Sequence, residues 1–491
     1  MFKINLLILN LLFALSTLAQ NNQLISIIQP DIYDNLEATN YLFAQPTTIH
    51  MHYIDLDLNI LDDFNTFQLQ FHNENYNVNF KRKDDRGPKN YSWFGNNADG
   101  NGSIILNVLG DDIQGIIRKG NNIYRILTTR KGSTAIVHID QSKYPPESCF
   151  TTGALQPAPQ KTHTNESEPK ETNHIQQALA NGCKITGLVM FTPAAEIAMK
   201  GSGDVMYTNI KNAVQEAVDA TNEAFDNSDI TDYPPIELIL VQKLNFVENP
   251  DTTIGANLRA FRNTAEVNNL KDLYNADFCT LITDTVFGRS CGSGFVLANN
   301  NSAYNLVPYD CMIENLSFAH EFGHLFGADH DVGSRPINIS GDGHGYIYYS
   351  GRWRTVMSYN ASPCGSSFSE FCFRQPYYSN PDVRYPDDNQ PMGTVASENN
   401  ARVCRDYFQT IAQFQQPVNN FTLNNTTYSS NNNLFATIEA IQNITSSGSV
   451  EIIDSATLIL KAGERIRLNN GFSTKTKGHV RSRIEQIEVC P

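Results

Sequence analysis

Apolar positions along the chain follow distinct rhythms. From Ile49 to about Ile139 they alternate with polar residues or gather in short runs, as in Phe67-Gln68-Leu69-Gln70-Phe71 and Ser103-Ile104-Ile105-Leu106-Asn107-Val108, with Gly and Asn clusters between. A period of two broken by turn residues predicts an antiparallel, β-rich region. Residues 151–180 lose all periodicity and carry Pro157, Pro159 and a Glu-Ser-Glu-Pro-Lys-Glu run, which predicts an exposed, cuttable linker. After Cys183 the pattern changes. Ile185 to Phe191 reads as a short strand, and Ile210, Ala213, Val214, Ala217, Val218, Thr221, Ala224 and Phe225 recur at helical spacing. Ile236 to Phe246 predicts a second strand, Leu258 to Tyr274 a second helical stretch and Asp277 to Thr283 a third strand, so a sheet covered by helices is expected. Beyond Pro417, Asn-rich turns separate short β-like runs at Ser449 to Ile453, Thr457 to Leu460 and Arg465 to Leu468. Gly463, Gly471 and Gly478 hint at stacked turns there without establishing a repeat.

These rhythms divide the 491 residues into a β-rich segment 20–150, a linker 151–182, an α/β segment 183–416 and a small all-β segment 417–491. The fold class expected is α+β, in several domains. Composition narrows the function. Charged residues are 18% and the net charge is -15, which argues against a disordered chain, a coiled coil and a nucleic-acid binder. Residues 1–19 read as a secretory signal: Lys3 gives a positive start, Ile4 to Leu15 is apolar apart from Asn5 and Asn10, and Thr17-Leu18-Ala19 precedes the cut. The apolar run is shorter than a membrane span, which needs about 18 residues or more, and no second long run follows. A secreted protein without membrane insertion is expected, in a compartment where disulfides persist.

The chemistry concentrates in His320-Glu321-Phe322-Gly323-His324-Leu325-Phe326-Gly327-Ala328-Asp329-His330. Residues four apart share a helix face, so His320 and His324 can turn imidazole nitrogens toward one ion, with Glu321 beside them. Gly327 can take the left-handed conformation that ends a helix, which lets His330 return to the same ion. Three neutral His ligands leave an open position for water, the pattern of a catalytic zinc site; structural sites usually fill all four positions.

His-Glu-x-x-His-x-x-Gly-x-x-His resembles the metzincin zinc-peptidase motif. Thr355-Val356-Met357-Ser358-Tyr359 stands where that family has its Met-turn, and the resemblance implies that Met357 forms an apolar floor under the three His. Asp331, and Asn315-Leu316-Ser317-Phe318-Ala319 before the motif, look like the reprolysin (adamalysin) branch. His344-Gly345-Tyr346, Arg354-Thr355 and Tyr378-Ser379-Asn380-Pro381-Asp382-Val383 are similar to its secreted bacterial members. The resemblance covers about residues 183 to 416. It implies a mixed twisted sheet with long helices, one catalytic Zn2+, protein or peptide substrates and Glu321 as general base. Tyr359, two positions after the Met-turn residue, resembles the astacin and serralysin branches, where a Tyr binds zinc or stabilises the oxyanion; here it does either or merely packs. Gly292 to Leu297 resembles the edge strand along which an extended substrate pairs. The loop holding Cys364 and Cys372 is expected to shape the pocket just past the cut bond.

Seven of the nine cysteines lie between Cys183 and Cys404, with Cys149 before the linker and Cys490 at the end. Family likeness and proximity suggest Cys291 with Cys311 and Cys364 with Cys372, exchange with Cys279 or Cys404 remaining open. Cys149 is the candidate for a cysteine switch that caps the zinc, making residues 20 to about 180 a prodomain and the protein a zymogen; a disulfide to Cys183 is the alternative. The tail around Leu458 to Ile484, with Ala462-Gly463 and Asn470-Gly471-Phe472, resembles the coathanger-stack domains of secreted Bacteroidota proteins and is a candidate for surface or glycan contact. A different class of function, an adhesion protein with an inert metzincin domain, is disfavoured by the intact Glu321. Calcium binding is not readable. Because ligand histidines must be neutral, zinc binding and activity are expected to fall as pH drops through ~6.5.

Overall fold

The computed structural model describes residues 24–145 and 183–490, apart from short stretches that include 335–340, 360–363 and 365–370. The expected signal sequence 1–19, Cys149 and the linker lie outside the described residues.

Between Ile25 and Ile139 the alternating pattern becomes a nine-stranded sheet in which every neighbouring pair is antiparallel. Thr66–Phe71 lies at one edge, with Phe67, Leu69 and Phe71 buried and the residues between them exposed. The central strands Ser103–Leu109, Asp112–Lys119 and Asn122–Thr128 are buried almost throughout. One face packs Trp93, Leu106, Tyr124 and Ile126 into the sheet's own core, while Phe94, Ile105, Ile116 and Ile123 join a cluster shared with the α/β unit.

That α/β unit is built from β1 (Ile185–Phe191), α1 (Ile210–Asn227), β2 (Ile236–Lys243), β3 (Phe278–Thr283), β4 (Ser293–Gly294), β5 (Tyr304–Pro308) and α2 (Ser317–Leu325). The second strand is three residues shorter than its apolar run. The expected helix Leu258 to Tyr274 is two helices, Ile254–Arg262 and Ala265–Tyr274, broken at Asn263 and Thr264. β1 pairs in parallel with β2 and β3, β3 in parallel with β5, and β4 closes the edge antiparallel to β5. α1 starts at Asn209, whose side chain accepts from the Lys211 N–H, and is buried from Ile210 to Phe225 on its polar face as well as its apolar one.

The tail does not stand apart from this sheet. β6 (Asn433–Ile452) is one long strand that includes the run expected as a separate strand at Ser449, and its start pairs antiparallel with β2 through Leu240↔Ala436 and Val241↔Phe435. β7 (Thr457–Ala462) and β8 (His479–Ile484) follow in parallel, so the sheet order is β4-β5-β3-β1-β2-β6-β7-β8. Val418 stands beside Ala440, Ala440 beside Ala462 and Ala462 beside Ile484, a repeat of 22 residues at this corner that bulges in the 418–428 strand lengthen to 24 at Thr426↔Val450. The three glycines are corners of that coil. A Cβ on Gly463, Gly471 or Gly478 would press on a carbonyl oxygen of the coil before it, at Ile441, Gly448 and Ile452 respectively. A Cys183–Cys490 disulfide ties the end of the chain to the start of the α/β unit. Among the described residues no helix is long and apolar enough to cross a membrane, which says nothing of β-barrels.

Candidate metal and catalytic site

α2 carries His320, Glu321 and His324, all buried. The helix lies against the edge of the sheet so closely that the chain after β4 satisfies its last carbonyls: Leu297 N–H donates to His324 O at 2.9 Å and Ala298 N–H to Leu325 O at 2.8 Å. Gly327 then turns the chain with φ +92°. His330 comes back to the helix, its Nε2 lying 3.0 Å from Nε2 of His324. One ligand atom from each of the three His lies within 4.8 Å of the others, and among the described residues no other such group of His, Cys, Asp or Glu is gathered.

Tautomers test whether a metal fits. Nδ1 of His320 meets Val356 O at 2.9 Å and Nδ1 of His324 meets Ala328 O at 2.9 Å. A carbonyl only accepts, so both Nδ1 atoms carry the proton and both Nε2 atoms present lone pairs. His320 Nε2 is buried without a hydrogen-bond partner, and that of His324 faces another imidazole. Lone pairs that converge in a buried space call for a cation, and the donor set suits Zn2+. Burial favours the neutral rings: His320 and His330 are held well below the ordinary histidine value, and His324 is lowered to about 4, by desolvation above all. Without a metal, these rings resist protonation where a solvated imidazole would accept it, and the neutral form is the one that can bind a cation.

Met357, expected as the Met-turn residue, packs against α2 at Gly323. Met357 is fully buried, and a Cβ on Gly323 would lie 2.6 Å from its Sδ. The Tyr359 ring is tilted over His330 at 4.1 Å between centroids, and its backbone N–H donates to Asp331 Oδ2 at 3.0 Å. Asp331 thus couples the turn after the third His to the Met-turn. Cys291–Cys311 and Cys364–Cys372 form the pairs suggested by likeness, whereas Cys183 is bonded to Cys490, which removes it as a partner for Cys149. Cys279 and Cys404 are buried thiols.

The Gly292 to Leu297 stretch is expected as an edge strand, but its close approach to Glu321 and the part played by Arg374 went unread in the sequence. Gly292 and Gly294 face Glu321: a Cβ at Gly292 would lie 2.2 Å from Oε1, and one at Gly294 would lie 3.2 Å from Oε2. Gly292 and Gly294 flank Ser293 where β4 begins, and two glycines at a spacing of two in an extended stretch were the available signal for a close approach. Arg374 is buried behind His320, where Nη1 donates to Asn315 O at 2.7 Å and Nη2 to Ser358 O at 3.1 Å. Nothing in its local sequence marks it.

Comparison with known proteins agrees with this geometry. Residues 211–331 match the family model described as metallo-peptidase family M12B, reprolysin-like. The chain is 30% identical over 325 residues to a peptidyl-Asp metalloendopeptidase of Stenotrophomonas maltophilia strain K279a, covering 64% of this chain and 70% of that one. It is 36% identical over 110 residues to a peptidyl-Asp metalloendopeptidase of Pseudomonas fragi, covering 22% of this chain and 70% of that one. Among solved structures, metalloproteinase-II from Bacteroides fragilis superposes with a TM-score of 0.40 at 11% identity, over 68% of this chain and 95% of that one, too loosely to carry an argument.

Proposed function

The chain belongs to the reprolysin-like metallopeptidases of family M12B, zinc metalloendopeptidases, and from that premise we propose a secreted enzyme, made as a zymogen, that cuts its substrates at aspartate. The convergence of three imidazoles beside one carboxylate carries the catalytic part of the reading. His320, His324 and His330 would hold the zinc. When bound it supplies Lewis acidity, lowering the pKa of a bound water to ~7 and polarising the scissile carbonyl. Glu321, set against the β4 edge, takes the proton of the attacking water and passes it to the leaving nitrogen. The Gly292 to Leu297 stretch would receive the substrate backbone as an added strand, which brings the scissile bond alongside that carboxylate. The Tyr359 ring beside His330 supports a part for its hydroxyl in holding the oxyanion.

The aspartate preference rests on the names of the relatives. Latency rests on the linker composition and on Cys149, whose alternative partner Cys183 is engaged elsewhere. The test compares the secreted protein with Glu321→Ala on a peptide library, with zinc measured in both. Cleavage by the wild type alone at equal zinc supports the mechanism, and enrichment of aspartate at the cut supports the specificity. Equal zinc with no cleavage by either protein, even after the linker is cut, would sink the reading.

A further inference from the structure

Residues 24–145 reach into the frame of the active site. Leu42, Val137 and Ile139 belong to the same continuous buried cluster as Met199, Ala213 and Ile313 of the α/β unit. The backbones are joined as well: Arg130 N–H donates to Val205 O at 2.9 Å, and Thr129 bridges Met206 in antiparallel register. Arg118 Nη2 donates to Ile313 O at 2.9 Å and to Glu314 O at 3.2 Å, in the turn that leads into α2.

Gln141 goes furthest. Its side chain is fully buried, Oε1 accepts from the Arg374 N–H at 2.6 Å, and Nε2 donates to Glu314 O at 3.2 Å. Arg374 passes the restraint on, through Asn315 O just before α2 and Ser358 O just after Met357, with Nη2 3.5 Å from Nδ1 of His320. One carboxamide from the N-terminal unit therefore braces both segments that aim the first His. These contacts arrive from the Nδ1 side of that ring, opposite the Nε2 that faces the metal site.

We propose that residues 24–145 stay bound after the 151–182 linker is cut and form a permanent part of the catalytic frame, with Gln141 as a positioning residue. The proposal rests on the peptidase reading above, with latency assigned to the chain between residue 145 and the cut, where Cys149 lies, and not to residues 24–145. Parting the two units would expose a shared apolar core to water, whereas cutting the linker removes none of these contacts.

The experiment inserts a sequence-specific protease site between Gln160 and Lys170 of the full chain, cuts it, and follows the fragments by gel filtration with zinc and activity measured across the peak. Both fragments are expected in one peak at the uncut mass, active per zinc. Gln141→Met, which keeps volume and removes the hydrogen bonds, is expected to lower kcat per zinc about tenfold with KM within twofold. Gln141→Glu, which keeps the acceptor for Arg374, should recover most of the loss. A catalytic fragment that elutes alone and is fully active overturns the proposal, as does an unchanged kcat in Gln141→Met. Retention is read on the unsubstituted protein, so it is decided even if that variant fails to fold. Absence of activity in both cut and uncut protein would count against the peptidase reading, while elution still decides retention.

Discussion

At the scale of single residues, the site depends on one absent side chain as much as on those present. Gly292 lets the Glu321 carboxylate lie on the edge-strand backbone, and a methyl group there cannot coexist with Oε1 where it stands. Gly292→Ala is expected to lower kcat about a hundredfold or more, since a misplacement of about 1 Å can cost that much, while zinc content stays at one per chain. Wild-type kcat in that variant would mean that the carboxylate acts from elsewhere. The histidines make a second expectation. His324 is lowered to about 4 by burial, so the folded site stays neutral as pH falls below the ordinary imidazole value of ~6.5, while the unfolded chain takes up protons. A base whose folded pKa is depressed contributes less stability as pH falls from ~6.5 to about 4, a loss of about 3 kcal/mol for this ring alone. Zinc content should therefore hold at pH 5 and drop near pH 4, with denaturant stability already falling between them. Zinc lost in step with a titration at 6.5 would show that the rings are solvated.

At the scale of elements, α1 shows how an amphipathic pattern can be read correctly and still mislead. Its apolar face marked a helix from Ile210 onward, and a polar face would ordinarily be left to water. Here Asn212, Glu216 and Asp219 are buried beneath the N-terminal sheet, where Asn212 donates to Asn107 O at 3.1 Å and Asn107 donates to the Asp219 carboxylate at 2.6 Å. Arg125 is paired with Glu216 and, at 2.7 Å, with Glu314. Replacing that arginine by Met leaves two carboxylates facing a buried space without their cation, a change worth about 3 to 5 kcal/mol when a buried pair is broken. Denaturant melts of Arg125→Met should show it, and a loss under about 1 kcal/mol would mean that water reaches the interface. The break between Arg262 and Ala265 has a local cause that the apolar spacing hid. Thr264 begins a new helix, with Asn268 N–H bonding back to its carbonyl, and Asn268 Nδ2 donates to Arg262 O.

At the scale of the whole molecule, the tail is part of the sheet that holds the active site. β2 would be the edge of the sheet if the chain stopped at Gln416, and its Leu240 and Val241 would face water along a bare row of N–H and C=O groups. A chain ending at Gln416 is expected to aggregate, measured as the soluble fraction after expression. Soluble monomer at wild-type yield would show that β6 is dispensable to β2.

What the sequence determined by itself is local. The order of strands and helices and the His320 to His330 constellation follow from side-chain periods of two and 3.6 residues and from fixed offsets along and just beyond one helix. Such signals survive without knowing what lies opposite, whereas the Met-turn was legible only as a family resemblance. The tertiary structure decided everything that depends on contact between distant segments. It brought Gly292 against Glu321, Gln141 and Arg374 behind His320, Cys490 to Cys183 and β6 beside β2, and it ran the coil at 22 residues where the glycine spacing suggested a shorter period. Side chains that meet across tens or hundreds of residues leave no period in the chain, because their spacing is set by packing and not by the geometry of any one element.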